Sequence, residues 1–105
     1  NIFLKHVNKN NEYFVTNKKI ALYNSKNGFK MGNISNIEHI GIVREKKNYG
    51  DLIFNFYANN LIEQMKNGIG FEGVENPRKI VTIICNINNN IHIYDDKPVI
   101  MGKSL

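Results

Sequence analysis

Cysteine, proline and long apolar runs are scarce in this 105-residue chain, and tryptophan is absent. A single cysteine, Cys85, excludes an internal disulfide framework and fits a reducing compartment. The two prolines, Pro77 and Pro98, act as punctuation, one at a helix start and one after a strand. No run approaches the roughly 18 apolar residues of a membrane span. No secretory leader is read at Asn1-Ile-Phe-Leu-Lys-His6, and the missing initiator Met leads us to expect a piece of a longer protein.

Catalytic signatures are also missing. His6, His39, His92 and Cys85 are far apart and show no metal-ligand spacing such as C-x-x-C or H-x-x-x-H. Gly68-Ile-Gly-Phe-Glu-Gly73 leads into a strand rather than a helix, so it is no phosphate loop. No nucleophile has an evident base. These absences lead to the expectation of a non-enzymatic protein with no metal and no cofactor.

What is present is positive charge and strand signal. The formal charge is +5 and the pI about 9.4. That balance favours acidic phospholipid headgroups, nucleic acid or acidic protein surfaces, and chooses among none of them. Asn, Lys and Ile are over-used, as in AT-rich genomes, so lysine number alone carries little argument. Asn33-Ile-Ser35 matches a glycosylation sequon, which is common by chance in an Asn-rich chain.

Alternating apolar residues predict strands over 2–7, 12–16, 20–23, 29–33, 37–43, 51–58 and 69–74, with Leu52, Phe54 and Phe56 on one side of the best of them. Alternation slips between Ile37 and Ile40, which predicts a bulge. Turns fall at 8–11, 17–19 and 24–28, and a polar hairpin loop at 44–50. The 59–67 stretch reads as a loop with a turn of helix at Leu61, Ile62 and Met65. Asn76-Pro77 then starts a helix: Asn caps, Pro suits the first helical position, and Ile80, Ile83, Ile84 and Ile87 form a stripe. Asn88-Asn89-Asn90 stops it through a left-handed C-cap. A buried strand is the alternative, because Val81-Thr-Ile-Ile84 is β-branched. Residues 91–94 could add a short strand before Asp95-Asp-Lys-Pro98, and 99–105 reads as a tail or linker. Seven strands and one helix predict a mainly β antiparallel barrel or sandwich over 1–90, with a helix over its open edge or mouth and an extension at 91–105.

Four segments in this order resemble pleckstrin-homology-like (PH-like) domains. Glu12-Tyr-Phe-Val-Thr-Asn-Lys-Lys-Ile-Ala-Leu-Tyr23 resembles the Y-x-x-T-N-x-R-I strand-turn-strand, with Lys19 for Arg, and Ile34-Ser-Asn-Ile-Glu-His-Ile40 resembles I-x-x-I-x-x-I. Gly50-Asp-Leu-Ile-Phe54 is similar to G-D-I-x-F, and Phe71-Glu-Gly-Val-Glu-Asn-Pro-Arg-Lys-Ile80 to F-x-x-V-x-N-P-x-x-I. Together they span about 2–89. The resemblance implies two near-orthogonal sheets, seven strands and a capping helix. It departs from phosphoinositide-binding members in two ways. The terminal helix lacks Trp, and Glu12 lies where the basic signature around Lys5 and Lys9 would continue. The chain is thus nearer the broad PH-like group, some of which bind phosphatidic acid or proteins.

In such a fold the one-two, three-four and six-seven loops meet at one end. Here they carry Lys9, then Lys26 and Lys30, then Lys66, with Lys5 on the strand leading in. These five amines are the expected anion site. Lys18, Lys19, Arg44, Lys46 and Lys47 are expected at the opposite end, so charge alone does not select the binding face. The bland counterpart is that loop lysines are ordinarily just solvated. The leading expectation is a cytoplasmic, peripherally membrane-associated module that binds acidic phospholipid headgroups and targets a larger protein. The alternative is a PH-like protein-interaction or oligomerisation module without lipid binding. Nucleic acid is a third reading: the charge permits it, but no motif of that kind is present.

Overall fold

The computed structural model describes residues 2–58, 60 and 68–95. Among them run β1 Ile2–Asn8, β2 Asn11–Thr16, β3 Lys19–Asn24, β4 Gly28–Asn33, a 3-10 turn Ile34–Asn36, β5 Ile37–Lys46, β6 Tyr49–Phe56, β7 Ile69–Glu75, α1 Pro77–Ile87 and β8 His92–Asp95. The protein is mainly β with one C-terminal helix. The described strands number eight rather than the expected seven, because the short segment after the helix does join a sheet. The helical turn sought at 61–65 and the tail at 99–105 lie outside the described residues.

Two four-stranded sheets carry these strands, in the orders β1-β2-β3-β4 and β7-β6-β5-β8. Among the described residues the two sheets do not close into a barrel. The first is a meander whose register puts His6, Tyr13, Leu22 and Lys30 in one row across the strands. β7 runs along this row: Gly68 meets Lys30, and Glu72 meets Tyr13 and Asn8. It therefore crosses the first sheet instead of extending it. Side chains bridge the seam. The Tyr13 hydroxyl donates to Glu72 O at 2.8 Å and accepts from Glu72 N–H at 3.0 Å, while Asn8 Nδ2 donates to the same carbonyl at 3.1 Å. An edge strand with open backbone groups is thereby satisfied without a ladder. Burial of the Tyr13 ring, which has no exposed surface, pushes its phenol above the ordinary 10.0.

The core lies between the sheets. Tyr13, Val15 and Ile20 face Ile40, Ile42, Leu52, Phe54, Phe56, Ile69, Phe71 and Val74. Period-2 burial along β6 follows the expectation, with Leu52, Phe54 and Phe56 in and Ile53 out. The expected bulge is present as a register shift between Ile37 and His39. The hairpin loop expected at 44–50 is shorter. β5 continues to Lys46, and only Lys47 and Asn48 turn. A second register shift, between Val43 and Lys46, makes this extension fit, with Arg44 at φ 51. Arg44 Nε donates to Asp51 Oδ2 at 2.6 Å, and Asp51 Oδ1 accepts from Gly73 N–H at 2.8 Å.

The first sheet covers the β7 side of the second sheet, and α1 covers β5, β6 and the 3-10 turn. Pro77 stands at the first helical position as expected. Two details differ. Asn76 is left-handed at φ 50 and makes no side-chain cap; its carbonyl instead accepts from Lys79 N–H at 3.0 Å. Asn88 is extended rather than left-handed, and its side chain stops the helix by donating to Ile34 O at 2.8 Å. The buried stripe is Pro77, Ile80, Val81 and Ile84, while Ile87 is exposed. That spacing of three, four and seven residues points one face at the core, and Ile87, seven residues beyond Ile80 on that same face, is exposed because it stands at the last residue of the helix.

Candidate functional site

Two turns of the first sheet lie side by side at one end. Lys9 and Asn10 join β1 to β2, and Ser25 to Asn27 join β3 to β4. Ser25 N–H donates to Asn10 O at 3.1 Å, and Asn24 Nδ2 donates to Asn11 Oδ1 at 2.6 Å. Asn24 Oδ1 in turn accepts from the N–H groups of Lys26 and Asn27 at 2.8 and 2.9 Å. An asparagine thus shapes its own turn, as short amide side chains readily do. The result is a fixed double turn bearing Lys9 and Lys26. Both side chains are exposed, and neither is in an ion pair with any described residue.

The other expected amines are placed differently. Lys5 points to the outer face, 3.6 Å from Glu12 Oε1 and 5.8 Å from the Phe14 ring centre, so a carboxylate offsets its charge. Lys30 lies in the row that faces β7, and its Nζ donates to Gly68 O at 3.3 Å. Lys5 and Lys30 are therefore on opposite faces of one sheet and do not converge. Lys66 lies outside the described residues.

The rival basic group also separates. Arg44 is held by Asp51. Lys18 shares a shallow recess with Ser35 and Ile87, at the C-terminal end of α1. Lys47 shares another with Pro77 and Lys79, at its N-terminal end. An 11-residue helix, about 16 Å long, separates the two.

The sequence reading missed the surface beside the lysine turns. Val7, Glu12, Tyr23 and Phe29 form one cross-strand row on the outer face, and Lys5, Phe14, Ala21 and Met31 form the next. Val7, Tyr23, Phe29 and Met31 are 58%, 41%, 55% and 52% exposed. Contiguous apolar side chains on a solvent face mark interaction surfaces more often than scattered ones do. Period-2 alternation at 12 and 14, 21 and 23, and 29 and 31 is the signal that could have found them. The arrangement can hold an anion by the two amines while apolar side chains enter an interfacial layer.

The fold and this end together define a small two-sheet β domain with a C-terminal helix and a mixed basic and apolar surface. No protein-family model matches the chain, and no curated protein sequence matches it. Among the described residues, no helix is long and apolar enough to cross a membrane.

Proposed function

We propose that the chain is a non-catalytic PH-like module that binds acidic phospholipid headgroups and targets a larger protein to membranes. The supporting observation is the fixed pair of turns carrying Lys9 and Lys26 beside the row Val7, Glu12, Tyr23 and Phe29, in which Val7, Tyr23 and Phe29 are exposed and Glu12 is paired with Lys5. The strand order, with β1 to β4 in one sheet and β5 to β7 in another before the helix, fits the same reading, and β8 is an addition to it. Each free lysine near an anionic surface contributes about 1 kcal/mol, and apolar side chains add partition into the interface. Lys5, partly offset by Glu12, is a rim contact, and Lys30 belongs to the seam with β7. Two amines and a few apolar side chains give marginal attachment, so a second membrane signal elsewhere in the parent protein completes it.

Sedimentation with liposomes at physiological salt tests this. Vesicles containing phosphatidic acid or phosphatidylserine should bind the chain, and neutral vesicles should not. Lys9→Glu with Lys26→Glu should weaken binding more than about tenfold, since two favourable charges become unfavourable. Equal binding to neutral vesicles, or no loss in the double variant, sinks the reading. Protein interaction is the second reading, and a separate observation on the second sheet favours it.

A further inference from the structure

β8 adds four residues to the outer edge of β5, in parallel, with His39 opposite His92, Ile40 opposite Ile93, Gly41 opposite Tyr94 and Ile42 opposite Asp95. All four β8 residues are exposed. So short a parallel ladder holds little by itself. What fixes it is two neighbouring side chains pointing to opposite sides of the strand.

Tyr94 lies across Gly41. A Cβ at residue 41 would stand 2.8 Å from its Cε2 and 2.9 Å from its Cζ, so any side chain there would push the ring out of its present seat. Asn55 Nδ2 donates to the Tyr94 hydroxyl at 3.3 Å. On the other side, Asp95 Oδ2 accepts from Arg78 Nη2 at 3.0 Å. Arg78 is positioned independently of β8. Its Nε donates to Glu45 Oε2 at 2.9 Å and its Nη2 to Glu45 Oε1 at 2.8 Å, a two-point grip that fixes the guanidinium plane. The edge thus offers an aromatic notch on β5 and β6 and a carboxylate receptor on α1, one residue apart in strand register.

Only a short connection joins β8 to α1. Asn88 anchors its start, donating to Ile34 O and Ile37 O and accepting from Asn90 N–H. The four-residue strand is held by the Tyr94 and Asp95 side-chain contacts together with its tether to α1, which presents it at an effective concentration on the order of mM.

We propose that the outer edge of β5 is a strand-acceptor site for an extended segment of a partner protein, one in which an aromatic residue is followed by Asp or Glu. His92–Asp95 is its competitor in cis. Charge complementarity at Arg78 and the Gly41 notch select the occupant, and main-chain pairing supplies sequence-tolerant attachment. The site is on the second sheet and does not depend on the membrane reading.

The test uses the full chain carrying Tyr94→Ala and Asp95→Ala, both on exposed positions, with a fluorescent peptide of residues 90–95, Asn-Ile-His-Ile-Tyr-Asp, as probe. Fluorescence polarisation should show the double variant binding this peptide at least about tenfold more tightly than the unaltered chain, whose own strand competes. Asp95→Lys alone, which repels Arg78, should shift affinity in the same direction. Adding Gly41→Val to the double variant fills the notch and should abolish binding with the melting temperature retained. Replacing the peptide's Tyr by Ala should do the same. Equal affinity for the altered and unaltered chains, or binding indifferent to Gly41→Val, overturns the proposal. Concentration-dependent dimerisation that the peptide competes away would assign the edge to a second copy and overturn the partner reading.

Discussion

The two sheets have four strands each and opposite economies. In the second, the inner face is covered twice, by the first sheet and by α1, and its strands end in side-chain locks at Arg78, Asn88 and Asp51. In the first, the inner face is covered by β7 and the core residues behind it, and among the described residues the outer face carries no covering element. Its edge strand β4 is exposed at nearly every position. Stability therefore concentrates in the second sheet and the layer between the two, while unspent apolar surface concentrates on the outside of the first. A large apolar side chain means different things in the two places, packing in one and availability in the other.

Truncating Phe54 should produce the largest effect. It is fully buried on β6, and its ring packs 4.8 Å from Phe71 in an edge-to-face arrangement. Phe54→Ala should cost about 3–5 kcal/mol, from lost transfer energy and the cavity left behind. That is a large share of the 5–15 kcal/mol typical of a domain. Urea unfolding with an unchanged slope would measure it. A cost below about 1 kcal/mol would erase the distinction drawn between the sheets.

The seam between the sheets ranks next. Tyr13→Phe keeps the ring but removes the hydroxyl that pairs both backbone groups of Glu72. The expected cost is about 1–2 kcal/mol, chiefly from the Glu72 N–H left without its acceptor at a partly buried edge, since the Glu72 carbonyl keeps its bond from Asn8. Its pH dependence has a definite sign. Folding raises the Tyr13 pKa, chiefly through desolvation, so the folded state holds the proton more tightly. The stabilisation is complete below the ordinary value of 10.0 and is lost as pH rises through the folded value. Unaltered protein and Tyr13→Phe should therefore converge in stability above about pH 10. Denaturant titrations at pH 7 and 10.5 compare them, and a constant difference would contradict the assignment.

Much of this architecture is legible in the sequence because burial imposes a period. Leu52, Phe54 and Phe56 alternate with exposed Ile53 and half-buried Asn55, and the slip at Ile37 is visible as a break in that period. The candidate site was harder to read. Whether a lysine faces in or out depends on the parity of its strand, and a shift of one residue reverses every side chain. β4 has no apolar pattern to set that parity correctly. Phe29 and Met31 look like core residues, yet they face out, because Gly32 on the inner side is the position that admits the Phe56 ring. Lys30 is carried inward by the same register. The lock around Arg78 joins residues from β5, α1 and β8, and no local spacing announces it.

The smallest stability effect should come from the outer face of the first sheet, where it separates the two kinds of apolar residue most cleanly. Phe29 is 55% exposed and pairs across the strands with Tyr23 rather than with the core. Phe29→Ala removes a ring of the same size as that of Phe54, yet folding stability should change by no more than about 0.5 kcal/mol. Binding to anionic vesicles should fall nonetheless, by several-fold, because the ring partitions into the interface only in the bound state. Measured together with Lys9→Glu, the two losses should add, one sensitive to salt and the other not. A destabilisation of 2 kcal/mol or more in Phe29→Ala would mean that the outer face is covered after all, and that the first sheet spends its apolar surface on folding as the second does.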